Sequence, residues 1–159
     1  MFTKNISFIN FQLKKKDKST RSKLNLILIK DDQVVKSLRK SYKDTYSKKT
    51  FKILNKKLDY RVIGMGGSSL GSQAIYDFLK YKIKKNFFFI NNLQAKRKKK
   101  SNKLYNNLII SKSGNTIETI VNSNILIKKK EKNLLITENK DSYLKKLAKK
   151  LSAEVVDHN

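Results

Sequence analysis

Short apolar runs alternate with helical repeats over the second half of the chain. Runs of consecutive apolar residues without intervening charge are typical of strands buried on both faces, as in parallel sheets. The five such runs are Val62–Ile63, Phe87–Ile90, Leu108–Ile110, Leu134–Ile136 and Val155–Val156. The chain is therefore predicted to be α/β, with a doubly wound, five-stranded parallel sheet in the flavodoxin-like order 2-1-3-4-5.

Apolar residues spaced by three or four positions predict helices after the first, third and fourth strands. We expect these residues to face the sheet. They are Leu70, Ala74, Phe78 and Leu79 in the first helix, Ile117, Ile120, Val121 and Ile125 in the second, and Tyr143, Leu147 and Leu151 in the third.

The amino-terminal part, 1–59, is predicted to be a mainly helical segment ahead of a domain spanning 60–159. Its first thirty residues look irregular, with one apolar piece at Leu24–Ile29. A helical repeat then begins at Asp31 and uses Val35, Leu38, Tyr42 and Tyr46, and a second repeat uses Phe51, Leu54 and Leu58.

Two polar, small-residue loops follow the first and third predicted strands. The glycine loop, GMGGSSLG (Gly64–Gly71), holds four of the chain's five glycines, and the serine loop is SKSGNTIET (Ser111–Thr119). The order 2-1-3-4-5 places these strands side by side, and ligands of such sheets bind beyond the strands' carboxyl ends at that point. Glycine backbone, hydroxyls and helix starts suit a phosphate. For either loop alone, helix capping is an equally good interpretation.

Other common chemistries fit the sequence poorly. The dinucleotide pattern would need glycine at Ser69, and the Walker pattern would need lysine at Ser72. The chain has no cysteine and one histidine, His158, so no metal site is expected. No cofactor is predicted.

The composition is strongly basic, with a formal net charge of +26, yet only four of the 38 basic residues are arginine. The lysines form short clusters, such as Lys96–Lys100, that are distributed along the whole sequence. This distribution predicts a solvated surface that attracts polyanions without specificity. Specific nucleic-acid binding and membrane binding are therefore not expected. No apolar stretch is long enough for a membrane span, and the start of the chain lacks a signal-peptide pattern, which predicts a cytoplasmic location.

Together the segments IGMGGSSLGSQAIYDFL (Ile63–Leu79) and IISKSGNTIET (Ile109–Thr119) resemble the sugar-isomerase (SIS) domain of the glucose-6-phosphate isomerase family. The resemblance runs from about Tyr60 to Asn159. It implies that 60–159 is a first SIS domain and that a second SIS domain is absent. It implies a metal-free isomerase of glycolysis and gluconeogenesis that interconverts glucose 6-phosphate and fructose 6-phosphate, and a homodimer in the full-length enzyme.

Site roles also follow from the resemblance. Substrate phosphate is expected at Ser111, Lys112 (through its backbone), Ser113 and Thr116, with Gly67, Ser68 and Ser69 lining the sugar-phosphate pocket.

No catalytic residue is expected in this chain, since its acidic residues nearest the loops, Asp77 and Glu118, sit on predicted helices. The chain is thus expected to be an amino-terminal fragment of an isomerase, inactive alone. A stand-alone SIS module that binds or senses a phosphosugar is the alternative, and a basic nucleic-acid-associated protein is a third possibility.

Overall fold

The computed structural model describes residues 18–30, 32–37, 39–43, 46–47, 49–54, 56–93 and 102–158. The chain divides into two compact units, Met1–Lys43 and Asp44–Asn159. The first contains helices α1 (Lys18–Ile29) and α2 (Gln33–Ser37).

The described part of the second unit contains a five-stranded sheet, three α-helices and one 3₁₀ helix. In chain order the elements are a 3₁₀ helix (Thr50–Ile53), β1 (Asp59–Gly64), α3 (Gly67–Leu79), β2 (Phe87–Ile90), β3 (Tyr105–Ile110), α4 (Ile117–Leu126), β4 (Lys132–Thr137), α5 (Tyr143–Leu151) and β5 (Glu154–Asp157). All strand pairs are parallel and the order is β2-β1-β3-β4-β5. The predicted fold class and strand order are confirmed.

Helices cover both faces of the sheet. On one face, the Tyr76 ring of α3 lies 5.1 Å from the Phe87 ring and 6.0 Å from the Phe89 ring. On the other face, Ile63 packs with Leu144 and Leu147 of α5 in the main core. Because neighbouring residues of a strand point to opposite faces, and Val62 pairs with Phe89 in β2, α3 and α5 must lie on opposite sides.

The predicted sheet-facing side of α3 is wrong. Leu70 and Phe78 are 55% and 77% exposed, and Ala74 is exposed as well. The sheet beneath α3 carries aromatic rings, and the side of the helix that faces them presents the fully buried Ser69 and the half-buried Gln73 and Tyr76. Only Leu79 of the predicted set is partly covered.

The prediction for α4 is wrong at its two ends in the same way. Ile117 and Ile125 are 71% and 48% exposed, whereas Ile120 and Val121 are half-buried. The buried positions of α4 are Thr119, Asn122 and Ser123. Thr119 and Ser123 have small side chains, which allow close approach to the sheet, and Asn122 Nδ2 donates to the Asn92 carbonyl at 3.0 Å. The α5 prediction holds for Leu147, which is buried, and Leu151, which is half-buried, but Tyr143 is 41% exposed.

The amino-terminal segment differs from prediction in detail. The apolar piece Leu24–Ile29 belongs to a regular helix, α1, and is not irregular. The repeat that begins at Asp31 gives only the short α2, and Tyr42 and Tyr46 are exposed outside it; Asp31 and Leu38 lie outside the described residues.

The repeat predicted from Phe51 forms a single 3₁₀ turn, Thr50–Ile53. Leu54, which follows this turn, is buried, whereas Phe51 is 48% exposed. Residues 1–17 and the lysine cluster at 96–100 are also outside the described residues. Within the described ranges, no helix has the length and apolar character that a membrane crossing requires.

Asp59 ties the amino ends of three neighbouring strands together. Its Oδ2 accepts a 2.8 Å hydrogen bond from Lys103 Nζ ahead of β3, and its Oδ1 accepts the Asn86 backbone N–H ahead of β2 at 3.2 Å. The Lys103 hydrogen bond, followed by that of Asn86, lowers the pKa of Asp59 from 3.8 to about 2.

This lowered pKa predicts an acid-sensitive contribution to stability. Since the folded-state pKa lies below the unfolded value, the contribution is present above pH 3.8 and is lost as pH falls towards about 2. We expect the unfolding free energy of Asp59→Asn to fall less steeply than that of the wild type across this window. Chemical denaturation at several pH values measures it, with Asp77→Asn on the exposed side of α3 as the control. Parallel curves for wild type and Asp59→Asn would contradict the assignment.

Candidate functional site

The two polar loops emerge side by side from adjacent strands. Gly64, the last residue of β1, pairs directly with Ile110, the last residue of β3. A Cβ atom at Gly64 would lie only 3.0 Å from the Ile110 carbonyl oxygen and 3.3 Å from Ser68 Cβ. A side chain at Gly64 would therefore crowd the close approach of the two strand ends to the start of α3.

Within the serine loop, the predicted phosphate ligands Ser111 and Thr116 lie together. Their hydroxyl oxygens are 3.0 Å apart, and Ser111 Oγ also accepts the Gly114 backbone N–H at 3.2 Å. Ser111 is buried, while Ser113 is partly exposed and its Oγ accepts the Asn115 N–H at 3.2 Å. The loop thus folds into a compact turn with two hydroxyls at one point.

Residues at the end of β4 and in the β4–α5 connection form hydrogen bonds and close contacts with this turn. The Lys112 carbonyl accepts the Glu138 N–H at 3.0 Å and the Thr137 hydroxyl at 3.3 Å. Gly114 has a φ of +68° and packs so tightly that an added Cβ would lie 2.3 Å from Ser142 Oγ. The loop is therefore held in one conformation before any ligand arrives.

The glycine loop is tight but leaves open space above it. Gly66 adopts a φ of +51° with ψ of −126°, a backbone conformation that essentially only glycine takes. A Cβ at Gly67 would meet nothing within 4 Å. Ser68 is partly exposed, whereas Ser69 is fully buried and donates to the Gly66 carbonyl at 3.4 Å. Gly67 and Ser68 are thus the predicted pocket residues that a ligand can approach.

The starts of α3 and α4 are not capped by side chains. Within the described structure, Thr116 at the N-cap of α4 makes no side-chain capping hydrogen bond, and Gly66 at the N-cap of α3 has no side chain that could make one. At α5, by contrast, Ser142 Oγ accepts the Lys145 N–H. Capping therefore does not account for Thr116, and two positive helix-dipole ends remain at the carboxyl edge beside each other.

The charged groups near the serine loop pair with each other. Lys112 Nζ lies 3.7 Å from Glu138 Oε1, and its side chain is 74% exposed. Lys140 also binds the Glu138 carboxylate, and that hydrogen bond lowers the pKa of Glu138 below its usual value. The Lys112 ammonium is consequently directed towards an acidic neighbour. That its backbone serves a phosphate stays a prediction.

The remaining candidate residues lie where sequence reasoning put them. Asp77 is on the exposed part of α3, Glu118 is half-buried in the first turn of α4, and His158 follows β5 with an exposed side chain. Across the described ranges, no group of three or more acidic, histidine or cysteine side chains could hold a metal ion.

Sequence reasoning missed two residues that position the serine loop. Asn115 Oδ1 accepts the Tyr143 backbone N–H at 2.9 Å, and Ser142 fills the space beside Gly114. Ser142 carried a readable signal, since a serine just before an amphipathic helix is a common cap. No sequence pattern indicated the role of Asn115, because its partner Tyr143 is 28 residues away in the sequence.

Comparison with curated proteins finds similarity to glucose-6-phosphate isomerases. The chain is 42% identical over 90 residues to that of Methanocaldococcus jannaschii, covering 52% of this chain and 21% of the relative. It is 39% identical over 85 residues to that of Borrelia garinii subsp. bavariensis (45% and 16%) and 37% identical over 101 residues to that of Borreliella burgdorferi (52% and 19%). The similarity thus spans about half of this chain and about a fifth or less of each relative.

Two further comparisons concern family and fold. No protein-family model matches the chain. Among solved structures, a hypothetical protein of Thermus thermophilus aligns with a TM-score of 0.51 and 18% identity, over 69% of this chain and 29% of that one. This likeness supports the α/β fold, and the curated relatives link the chain to glucose-6-phosphate isomerases over a limited region.

Proposed function

We propose that this chain is part of a glucose-6-phosphate isomerase and that its glycine and serine loops bind the phosphate of the sugar phosphate. The observation that carries the proposal is the direct pairing of Gly64 with Ile110, which brings the two uncapped helix starts together. The similarity to enzymes named glucose-6-phosphate isomerase supports the choice of substrate class.

The serine loop supplies the directed hydrogen bonds in this proposal. Ser111 and Thr116 hydroxyls can rotate, so each can exchange its present 3.0 Å contact for a phosphate oxygen. The backbone N–H groups of Lys112 and Ser113 and the positive end of the α4 dipole also favour a negatively charged group at this point. Because Thr137, Ser142 and Asn115 already fix the turn, little ordering is required on binding.

The glycine loop supplies access. Open space above Gly67 lets a phosphate or sugar oxygen approach the backbone at the start of α3, beside Ser68. Such contacts hold substrate and transition state equally and do not by themselves accelerate proton transfer between C1 and C2. The chain's role in this proposal is to anchor the phosphate, and the catalytic base comes from outside these two loops.

Loss of both serine-loop hydroxyls should weaken binding of glucose 6-phosphate to the purified chain. Each hydroxyl that donates to a charged phosphate contributes about 1–3 kcal/mol. Ser111→Ala with Thr116→Ala should therefore raise the dissociation constant at least about tenfold. Isothermal titration calorimetry measures this, with unphosphorylated glucose as the negative ligand.

Two matched controls separate ligand contact from general damage. Ser72→Ala removes an exposed α3 hydroxyl that only donates to the Ser69 carbonyl, and it should leave binding unchanged. Gly67→Ala and Gly71→Ala each add a methyl group to open space on the same helix, yet only the former should obstruct the ligand. Equal affinity of the double variant and the wild type would refute the assignment of the phosphate to the serine loop.

A further inference from the structure

Every strand of the sheet is preceded by lysine. The lysines lie at the amino ends of the strands, and in spatial order across the sheet they are Lys84–Lys85, Lys56–Lys57, Lys103, Lys128–Lys130 and Lys149–Lys150. We call this line the basic edge. All of these side chains are exposed except those of Lys85 and Lys128, which are half-buried.

The opposite edge of the sheet has a different character. Directly after the strands come Met65, Asn91 and Ser111, then Glu138 and His158. Glu138 pairs there with Lys112 and Lys140, whereas on the basic edge Asp59 pairs with Lys103. A composition rich in lysine would load both edges equally, so composition does not explain the basic edge. Helix dipoles favour lysine at Lys149–Lys150, but Lys56–Lys57 and Lys84–Lys85 lie outside helices.

Exposed aromatic rings lie beside one end of the basic edge. Helix α3 begins at the glycine loop and ends near the basic edge. Phe78, in its last turn, and Tyr81, just after it, therefore lie close to that edge, and they are 77% and 73% exposed. Lys82 Nζ lies 5.4 Å from the centre of the Tyr81 ring. Positive charge along a line with accessible rings is the arrangement by which proteins bind single-stranded nucleic acid without sequence preference.

We propose that the basic edge binds the phosphate backbone of single-stranded nucleic acid, with bases stacking on Tyr81 and Phe78. Adjacent strands are about 4.8 Å apart, so the edge extends about 19 Å across five strands, long enough for several nucleotides. The poverty in arginine fits backbone contact without base recognition. A lipid surface fits less well, because Leu144, Leu147 and Ala148 of the lysine-rich helix α5 are buried in the core and unavailable for insertion.

Fluorescence anisotropy with a labelled oligouridine strand, titrated at several salt concentrations, tests the proposal. The logarithm of the association constant should fall with the logarithm of salt by about 0.7 for each phosphate contacted. Lys129→Gln with Lys130→Gln should reduce that slope by about 1.4. Lys140→Gln with Lys146→Gln, the same charge change near the opposite edge, should leave the slope unchanged.

Aromatic variants and a competitor complete the test. Tyr81→Ala should weaken binding about tenfold, whereas Tyr143→Ala, an exposed tyrosine at the start of α5, should not. Glucose 6-phosphate should not compete, because the proposed sugar-phosphate loops lie at the other edge. Equal slopes for the two lysine pairs would overturn the proposal. Binding to phosphatidylserine vesicles without binding to oligouridine would also overturn it.

Discussion

Replacement of Glu131 by alanine should lower the free energy of unfolding by about 3–5 kcal/mol, the usual effect of removing one partner of a buried ion pair. The Glu131 side chain is fully buried, and its Oε2 lies 3.6 Å from Arg61 Nη1. Without the carboxylate, the Arg61 guanidinium would remain buried beside neutral groups only.

Glu131 also accepts hydrogen bonds from three other groups. Its Oε1 accepts the Tyr105 N–H at 3.1 Å, and its Oε2 accepts Asn107 Nδ2 at 3.0 Å and the Lys128 N–H at 2.9 Å. Arg61 in turn donates to the Leu126 carbonyl at 2.8 Å. The cluster joins β1, β3 and the α4–β4 turn, so its loss should loosen all three.

Urea denaturation of Glu131→Ala measures the effect, with Glu154→Ala as the matched control. Glu154 is an exposed glutamate at the start of β5, and its removal should change stability by no more than about 0.5 kcal/mol. The loss of stability in Glu131→Gln should lie between those of these two variants. The glutamine amide keeps one acceptor oxygen, but its NH₂ group would face N–H donors that now bind the carboxylate. The buried-pair account fails if Glu131→Ala and Glu154→Ala unfold at the same urea concentration.

Gly114→Ala should destabilise the fold by about 2–5 kcal/mol and distort the proposed phosphate site. Alanine at a φ of +68° costs about 1–2 kcal/mol, and overpacking costs about 1–3 kcal/mol more. The new Cβ would lie 2.6 Å from Ser142 Cβ and 2.9 Å from Thr137 Oγ1. Thermal unfolding and glucose 6-phosphate titration of the same variant measure both consequences.

A second substitution separates the two causes. Ser142→Gly removes the two closest atoms, so Gly114→Ala should cost less in that background, leaving the conformational cost and the 2.9 Å contact with Thr137 Oγ1. Gly71→Ala, where an added Cβ meets nothing, should be neutral or slightly stabilising. An unchanged cost in the Ser142→Gly background would show that steric contact with Ser142 is not the cause.

The strand order was predictable because continuous apolar runs and helical repeats specify parallel strands and crossovers. The first residues of the strands were harder to predict than their order. β1 begins at Asp59 and β3 at Tyr105, several residues before the apolar runs. Those extra residues include Arg61 and Asn107, which belong in a sheet only because Glu131 lies opposite them. A polar residue buried by a distant partner leaves no local pattern.

The faces of α3 and α4 were mispredicted for a related reason. Apolar residues usually mark the inner side of a helix, but Phe78 and Ile117 are exposed while Ser69 and Thr119 are buried. Aromatic residues of β1 and β2 fill the space beneath α3, which only the assembled sheet reveals. The candidate site was easier to predict, since strand order alone brings the glycine and serine loops together.

Mapping glucose 6-phosphate onto the backbone amides by two-dimensional NMR tests the central claim most directly. We expect the largest chemical-shift changes at the amides of Gly66–Ser68 and Ser111–Ile117, growing together with a single dissociation constant. Unphosphorylated glucose should leave these amides unchanged. Shift changes confined to the basic edge, or absent from both loops at saturating ligand, would contradict the proposal that these two loops bind the phosphate.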